Sequence, residues 1–182
     1  MAEKTIIDGK NSFGWWVTGL VDGEGCFYAS LSFRMKKSPD SGRSHLCTDF
    51  SVGLQIWMRD DDAIVVEKIR NYFGSGRINK KPVTKSRRSK VKGAKPSVCY
   101  RIDLVEDLID VVIPHFETFP LQSKKANDFE IWRQIVEFVA RNLRGKKKWK
   151  KRFPEHVAVV VDLCEKLQAV RAYEPMDVAA GG

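Results

Sequence analysis

Val17-Thr18-Gly19-Leu20-Val21-Asp22-Gly23-Glu24-Gly25 is the stretch that decides the fold of this 182-residue chain. An apolar helical run closes on two carboxylates, Asp22 and Glu24, set among three glycines. Gly19 and Gly23 stand four apart, so on a helix they share one face and let a second backbone approach closely. The acids fall where the helix is expected to end, because Gly23 and Gly25 can adopt the positive φ that terminates one. Carboxylates at a helix C-terminus meet a dipole that is already negative. Two of them at a close helix contact ask for a compensating cation, of which a divalent metal is the simplest. Read alone, the nine residues also fit an ordinary helix C-terminus.

Composition narrows the choice. The formal charge of +9, from 32 Lys and Arg against 23 Asp and Glu, points to a polyanionic partner or an anionic surface. The positive charge is segregated: Arg77 to Arg101 holds ten basic residues and no acid, and Arg141 to Arg152 holds eight more without an acid. Such runs can be solvated loops, which is the expectation for residues 85–95 in the free protein, but segregation this complete favours contact with a phosphate backbone. No apolar run approaches the roughly 20 residues of a spanning helix, and the first residues lack an apolar signal core, so a soluble protein without a membrane partner is expected. Cys26, Cys47, Cys99 and Cys164 show no close spacing, which fits reduced thiols in a reducing intracellular compartment (cytoplasm or organelle) better than zinc or disulfides.

Outward from the motif, Ser12 is a plausible N-cap for a helix from Phe13 to Asp22. Cys26 to Lys36 then alternates, with Phe27, Ala29, Leu31, Phe33 and Met35 on one row and Tyr28, Ser30, Ser32, Arg34 and Lys36 on the other. After a turn containing Pro39, Asp40 and Gly42, Leu46 to Met58 alternates again, its second row being Asp49, Ser51, Gly53, Gln55 and Trp57. Asp60 to Asp62 introduce a helix that Gly74 and Gly76 end. Arg77–Thr84 and Ser97–Asp103 are two further strands joined by the basic loop. Helices follow over Val105–Phe116, over Lys124 to about Val139 with Ser123 as cap, and from Pro154 to near Ala172. Residues 1–173 are expected to form one domain, with a core over 12–140, helices over 141–173 and a disordered tail over 174–182.

This order predicts an α+β fold in which an antiparallel four-stranded sheet carries helices on one face. The other face would then present Tyr28, Ser30, Ser32, Arg34, Lys36, Asp49, Ser51, Gln55, Arg77, Asn79, Lys81 and Arg101, with Lys85, Arg87 and Arg88 from the basic loop. Side chains of this mix can hydrogen-bond base edges in a major groove, although any α+β domain shows water a polar sheet face.

The nine-residue motif resembles that of the LAGLIDADG homing endonucleases, with Glu24 in place of the usual second Asp. Asp60 to Arg77, closing on Phe-Gly-Ser-Gly-Arg, and Pro-Leu-Gln-Ser-Lys-Lys-Ala-Asn at 120–127 extend the similarity over roughly residues 12–140. The resemblance implies an αββαββα unit with a saddle-shaped sheet, whose motif helix packs on that of a second unit. One motif is present, so a homodimer on a long, near-palindromic double-stranded DNA target is expected, with Trp16, Gly19, Leu20 and Gly23 at the interface. It further implies metal-dependent phosphodiester hydrolysis. Glu24 and the Gly23 carbonyl would hold Mg²⁺ or Mn²⁺, Ca²⁺ would bind without supporting cleavage, and Asp22 would be mainly structural and less a metal ligand.

Three departures bear on the site. Where the family often places a Gln after the second strand and a basic residue near the next helix, this chain has Met58 and Asp62, and Gln55 is a substitute that can equally read a base. For the family's lysine before the third helix, Gln122, Lys124 and Lys125 compete. Lys124 is chosen because it opens the helix after Pro120-Leu121, a place where an ordinary exposed lysine also fits. His45, His115 and His156 are widely separated and read as core or surface residues. No small-molecule site is indicated. Two other readings remain open: the same fold as a non-cleaving RNA maturase or transcription regulator, and a basic ribosome-associated protein in which Asp22 and Glu24 only cap a helix.

Overall fold

In a computed structural model, residues 9–38, 40, 42–83, 95–143 and 154–172 are described. Helix α1 (Gly9–Glu24) leads into strand β1 (Gly25–Lys37), which pairs with β2 (Ser44–Arg59). A single 3₁₀ turn over Asp60–Asp62 opens onto α2 (Ala63–Phe73), and β3 (Arg77–Lys81) and β4 (Ser97–Ile102) follow. Helix α3 comprises Val105–Asp107, a π-helical turn Leu108–Val112 and Ile113–Thr118. Two longer helices, α4 (Lys125–Leu143) and α5 (Pro154–Val170), complete the described chain. The sheet order is β1-β2-β4-β3 and every neighbouring pair is antiparallel, so the expected α+β architecture is present.

Alternation sets the faces. Phe27, Leu54, Ile56, Val98, Tyr100 and Ile102 are buried under the helices, while the intervening residues form the outer face. Phe27 is the hub: its ring centroid lies 5.3 Å from Phe116, 5.4 Å from Phe129 and 5.0 Å from Trp132. Trp132 is fully buried and donates its indole N–H to the Tyr28 carbonyl at 3.2 Å, so α4 is tied to β1 by packing and by a hydrogen bond. Truncating either ring would cost about 3–5 kcal/mol. Arg171, just past α5, bonds the Asp128 carboxylate at 2.8 Å and the Phe27 carbonyl, fixing the last helix to the same spot.

Several expectations need correction. Helix α1 starts at Gly9, before Ser12, and runs through Glu24 rather than stopping at Asp22. Neither Gly23 nor Gly25 takes a positive φ; among the described residues only Gly42, Gly74 and Gly76 do. The helix passes directly into β1, and Gly25 is needed because a Cβ there would stand 2.6 Å from Val21 Cγ1 and 2.8 Å from the Val21 carbonyl. Phe33 and Met35 lie on the apolar row but are 50% and 66% exposed, since the β1–β2 hairpin outruns the helices that cover its base. Strand β3 ends at Lys81, whereas α3 and α4 run on to Thr118 and Leu143. The expected tail over 174–182 lies outside the described residues.

Candidate nucleic-acid interface and motif-end acids

The C-terminal turn of α1 holds two carboxylates in different states. Asp22 accepts the Gln122 amide N–H at 2.9 Å, the Ser123 amide at 3.4 Å and the Ser123 hydroxyl at 2.7 Å. It thereby staples the motif to the start of α4, where Ser123 also accepts the Lys125 amide at 3.1 Å. Glu24 is exposed. The cation that the sequence argument demanded of a metal is partly supplied by protein: the Lys125 ammonium donates to the Val21 carbonyl at 2.9 Å and the Gly25 carbonyl at 2.6 Å. A cation on the last carbonyls of a helix complements its dipole. Burial lowers the Lys125 pKa, and Asp22 nearby partly restores it.

Gln122, Lys124 and Lys125 take different positions at the motif end. Lys125 reaches the motif end, Gln122 engages Asp22 through its backbone and the Pro120 carbonyl through its side chain, and Lys124 is exposed. Lys124, chosen for its place at the helix start, lines a small pocket with Asp22, Ser123 and Lys125, so it too stands near the motif end. Glu24 itself opens on a groove of about 620 Å³ lined by Trp57, Met58, Arg59, Asp62, Lys95, Pro96 and Ser97. Met58 and Asp62, the two departures, thus stand beside Glu24, and the groove's positive charge comes from Arg59 and Lys95, which sequence reasoning did not single out. Arg59 is paired with Asp61. Gln55 lies outside this groove, opposite Cys26 and Arg101 on the neighbouring strands.

The outer sheet face is a set of linked polar groups. Ser30 and Ser51 share a hydrogen bond at 2.9 Å, and the Ser32 hydroxyl donates to the Asp49 carbonyl at 3.4 Å. Asp49 sits between Arg34 at 3.5 Å and Lys36 at 3.7 Å. Lys81 lies 4.2 Å over the Trp57 ring, a contact that a polar-only reading of that row overlooked. Asn79 is exposed on β3 beside Cys99. Arg77 and Arg101 meet at Asp103, and Tyr28 joins them by accepting from Arg101 Nε; the strand expected to run through Asp103 ends at Ile102, and sequence reasoning did not single Asp103 out. Burial pushes the Tyr28 hydroxyl up to about 12, so it stays protonated at neutral pH although Arg101 opposes the shift. Lys85, Arg87 and Arg88 lie outside the described residues.

On α1, Trp16 is 42% exposed and Leu20 half-buried, while a Cβ built on Gly19 or Gly23 would meet nothing within 4 Å. No packing among the described residues requires these two residues to be glycine. Among the described residues no group of three or more His, Cys, Asp or Glu converges on one point; with Asp22 bonded to Gln122 and Ser123, Glu24 is the exposed carboxylate of the motif end.

The sequence profile of the LAGLIDADG endonuclease family matches residues 17–136. The chain is 33% identical over 123 residues to homing endonuclease I-ApeII of Aeropyrum pernix, covering 66% of this chain and 60% of that protein. It resembles the LAGLIDADG meganuclease I-AabMI bound to uncleaved DNA, with a TM-score of 0.60, 26% identity, and coverage of 86% of this chain and 44% of that one. The homing endonuclease I-TnaI has the same fold, with a TM-score of 0.60, 24% identity, and coverage of 86% and 94%. This chain spans between 22% and 60% of the length of the curated relatives it matches. The sequence match over most of the fold, together with the motif helix that carries Asp22 and Glu24, establishes that the chain belongs to the LAGLIDADG endonuclease family.

Proposed function

We propose that the protein is a site-specific DNA endonuclease that acts as a homodimer on a long, near-palindromic duplex and hydrolyses phosphodiester bonds with a divalent cation. The observation that carries this reading is the exposed Glu24 carboxylate, set at the end of the motif helix beside a basic sheet face. Two glycines on α1 with open space around them, next to an exposed Trp16, support pairing with a second copy. A chain matching 44% of I-AabMI supports it too, since two copies would make a comparable assembly.

In this reading each part of the chain has a task. The sheet face lies in the major groove, where Arg, Gln and Ser contact bases and phosphates and fix the register of the duplex. Asp22 holds the start of α4 against α1 and keeps Lys125 at the motif end. Lys125 places positive charge there, which favours the approach of a scissile phosphate. Glu24 and the Gly23 carbonyl form a hard oxygen donor set, the chemistry that Mg²⁺ or Mn²⁺ prefers, and one carboxylate per copy suits ions that keep waters and complete their shell with substrate phosphate. When bound, such an ion stabilises charge on the phosphoryl oxygens and lowers the pKa of water. Ca²⁺ is expected to permit binding without cleavage.

Incubation of the full chain with a randomised duplex library, in Mg²⁺ and in Ca²⁺, tests the reading. One long cut site with two-fold character is expected in Mg²⁺ alone. Glu24→Gln should abolish cutting and retain binding. Bound but uncut DNA in both metals would favour the non-cleaving reading, and full cutting by Glu24→Gln would remove Glu24 from the mechanism.

A further inference from the structure

Tyr28 on β1, Arg77 on β3, Arg101 on β4 and Asp103 beyond it form one hydrogen-bonded unit on the outer sheet face. Arg77 and Arg101 are direct cross-strand partners, an arrangement that repels unless an anion separates the two charges. Asp103 does so. Arg77 donates from Nη1 to Oδ1 at 3.1 Å and from Nη2 to Oδ2 at 2.6 Å, and Arg101 Nε lies 3.1 Å from Oδ2. Arg101 Nε also donates to the Tyr28 hydroxyl at 2.5 Å, with the guanidinium 4.6 Å from the Tyr28 ring. Gly53, opposite Tyr28, opens the passage for that ring: a Cβ there would stand 2.5 Å from the Tyr28 oxygen.

Each guanidinium carries five N–H donors in a rigid fork. Arg77 commits its terminal edge to Asp103, leaving the side edge of Nε and Nη2. Arg101 commits Nε, leaving its terminal edge of Nη1 and Nη2. Each residual edge is a pair of parallel donors, the complement of O6 and N7 of guanine in the major groove. An acid on a phosphate-facing surface lowers non-specific affinity, so its benefit here lies in geometry. We propose that Asp103 is a specificity-positioning residue, which aligns Arg77 and Arg101 so that they read guanines in each half of the DNA target. This rests on the sheet face being the DNA interface proposed above.

The test is selection of bound sequences from a randomised duplex library in Ca²⁺, with the full chain and its Asp103→Asn and Arg77→Lys variants. Arg77 is exposed, so Arg77→Lys keeps the charge and the fold while removing the paired donors. The wild-type protein should select guanine at defined positions in each half-site. Both variants should lose that preference about ten-fold or more at one or two of those positions only. Affinity of Asp103→Asn for unrelated duplex, followed against salt, should hold or rise. Guanine preference that survives Asp103→Asn, whatever Arg77→Lys does, would overturn this inference and leave the endonuclease reading intact. Absence of any selected site from the wild-type protein would overturn the DNA reading and this inference with it.

Discussion

Acid should loosen the motif helix through His115. This residue is 6% exposed and sits among Tyr72, Phe73, Phe116 and Phe119. Thr18 Oγ1, in the motif, lies 3.2 Å from Nε2 and donates its only proton to the Phe119 carbonyl at 2.9 Å. Nε2 must therefore carry the imidazole proton, and Nδ1 accepts from the Tyr72 hydroxyl at 3.1 Å. Protonation at Nδ1 would oblige the Tyr72 hydroxyl to turn from donor to acceptor and would place a full charge in an apolar pocket. Burial accordingly lowers the His115 pKa from 6.5 to about 4. The folded state prefers neutral imidazole, so its stabilisation is complete above pH 6.5 and is lost as pH falls toward 4. The depression corresponds to about 3 kcal/mol. One group takes up at most one proton, which limits the slope to about 1.4 kcal/mol per pH unit. Urea unfolding of wild-type protein and His115→Phe from pH 7.5 to 4.5 measures this. The variant should be less stable at pH 7.5 because Thr18 and Tyr72 lose a partner, and the gap should narrow on acidification. Carboxylates titrate in both proteins and cancel in the difference. Parallel stability curves would refute the reasoning.

Two substitutions probe the joints around the site. Gly53→Ala should cost about 1–3 kcal/mol, because the methyl would meet the Tyr28 hydroxyl and the Ile102 carbonyl in a sheet that cannot open locally; an unchanged melting temperature would show that Tyr28 moves aside freely. Lys125→Met should lose about 1.5–3 kcal/mol by leaving the Val21 and Gly25 carbonyls without their charged donor, whereas Lys124→Met at an exposed position should stay within about 0.5 kcal/mol. Equal effects of the two in chemical denaturation would mean that Lys125 contributes nothing special at the motif end.

What was legible in the chain follows from which signals are local. The period-two rows of β1 and β2 place Tyr28, Ser30, Ser51 and Gln55 on the outer face because alternation is a property of the backbone, and the sheet realises it over the covered length. The same rule fails at Phe33 and Met35, where the row is intact but the helices no longer reach; burial depends on partners that strand period does not encode. The glycines at the motif end illustrate a second limit. Gly25 is required by Val21 one helical turn earlier and not by a left-handed conformation, a distinction that needs coordinates. Lys125 and Asp103 illustrate a third. Each acts across about 25 to 100 residues of chain, on Val21 and Gly25 in one case and on Arg77 in the other, and each sits at an element boundary where periodic patterns end. Residue type could nominate them, as it nominated three candidates at 122–125, but which of these reaches the last carbonyls of α1 is set by how the first turn of α4 meets the end of α1. Sequence period thus locates faces, whereas the paired charges that tune a site sit where one element meets another, and their roles emerge only once the fold brings those ends together.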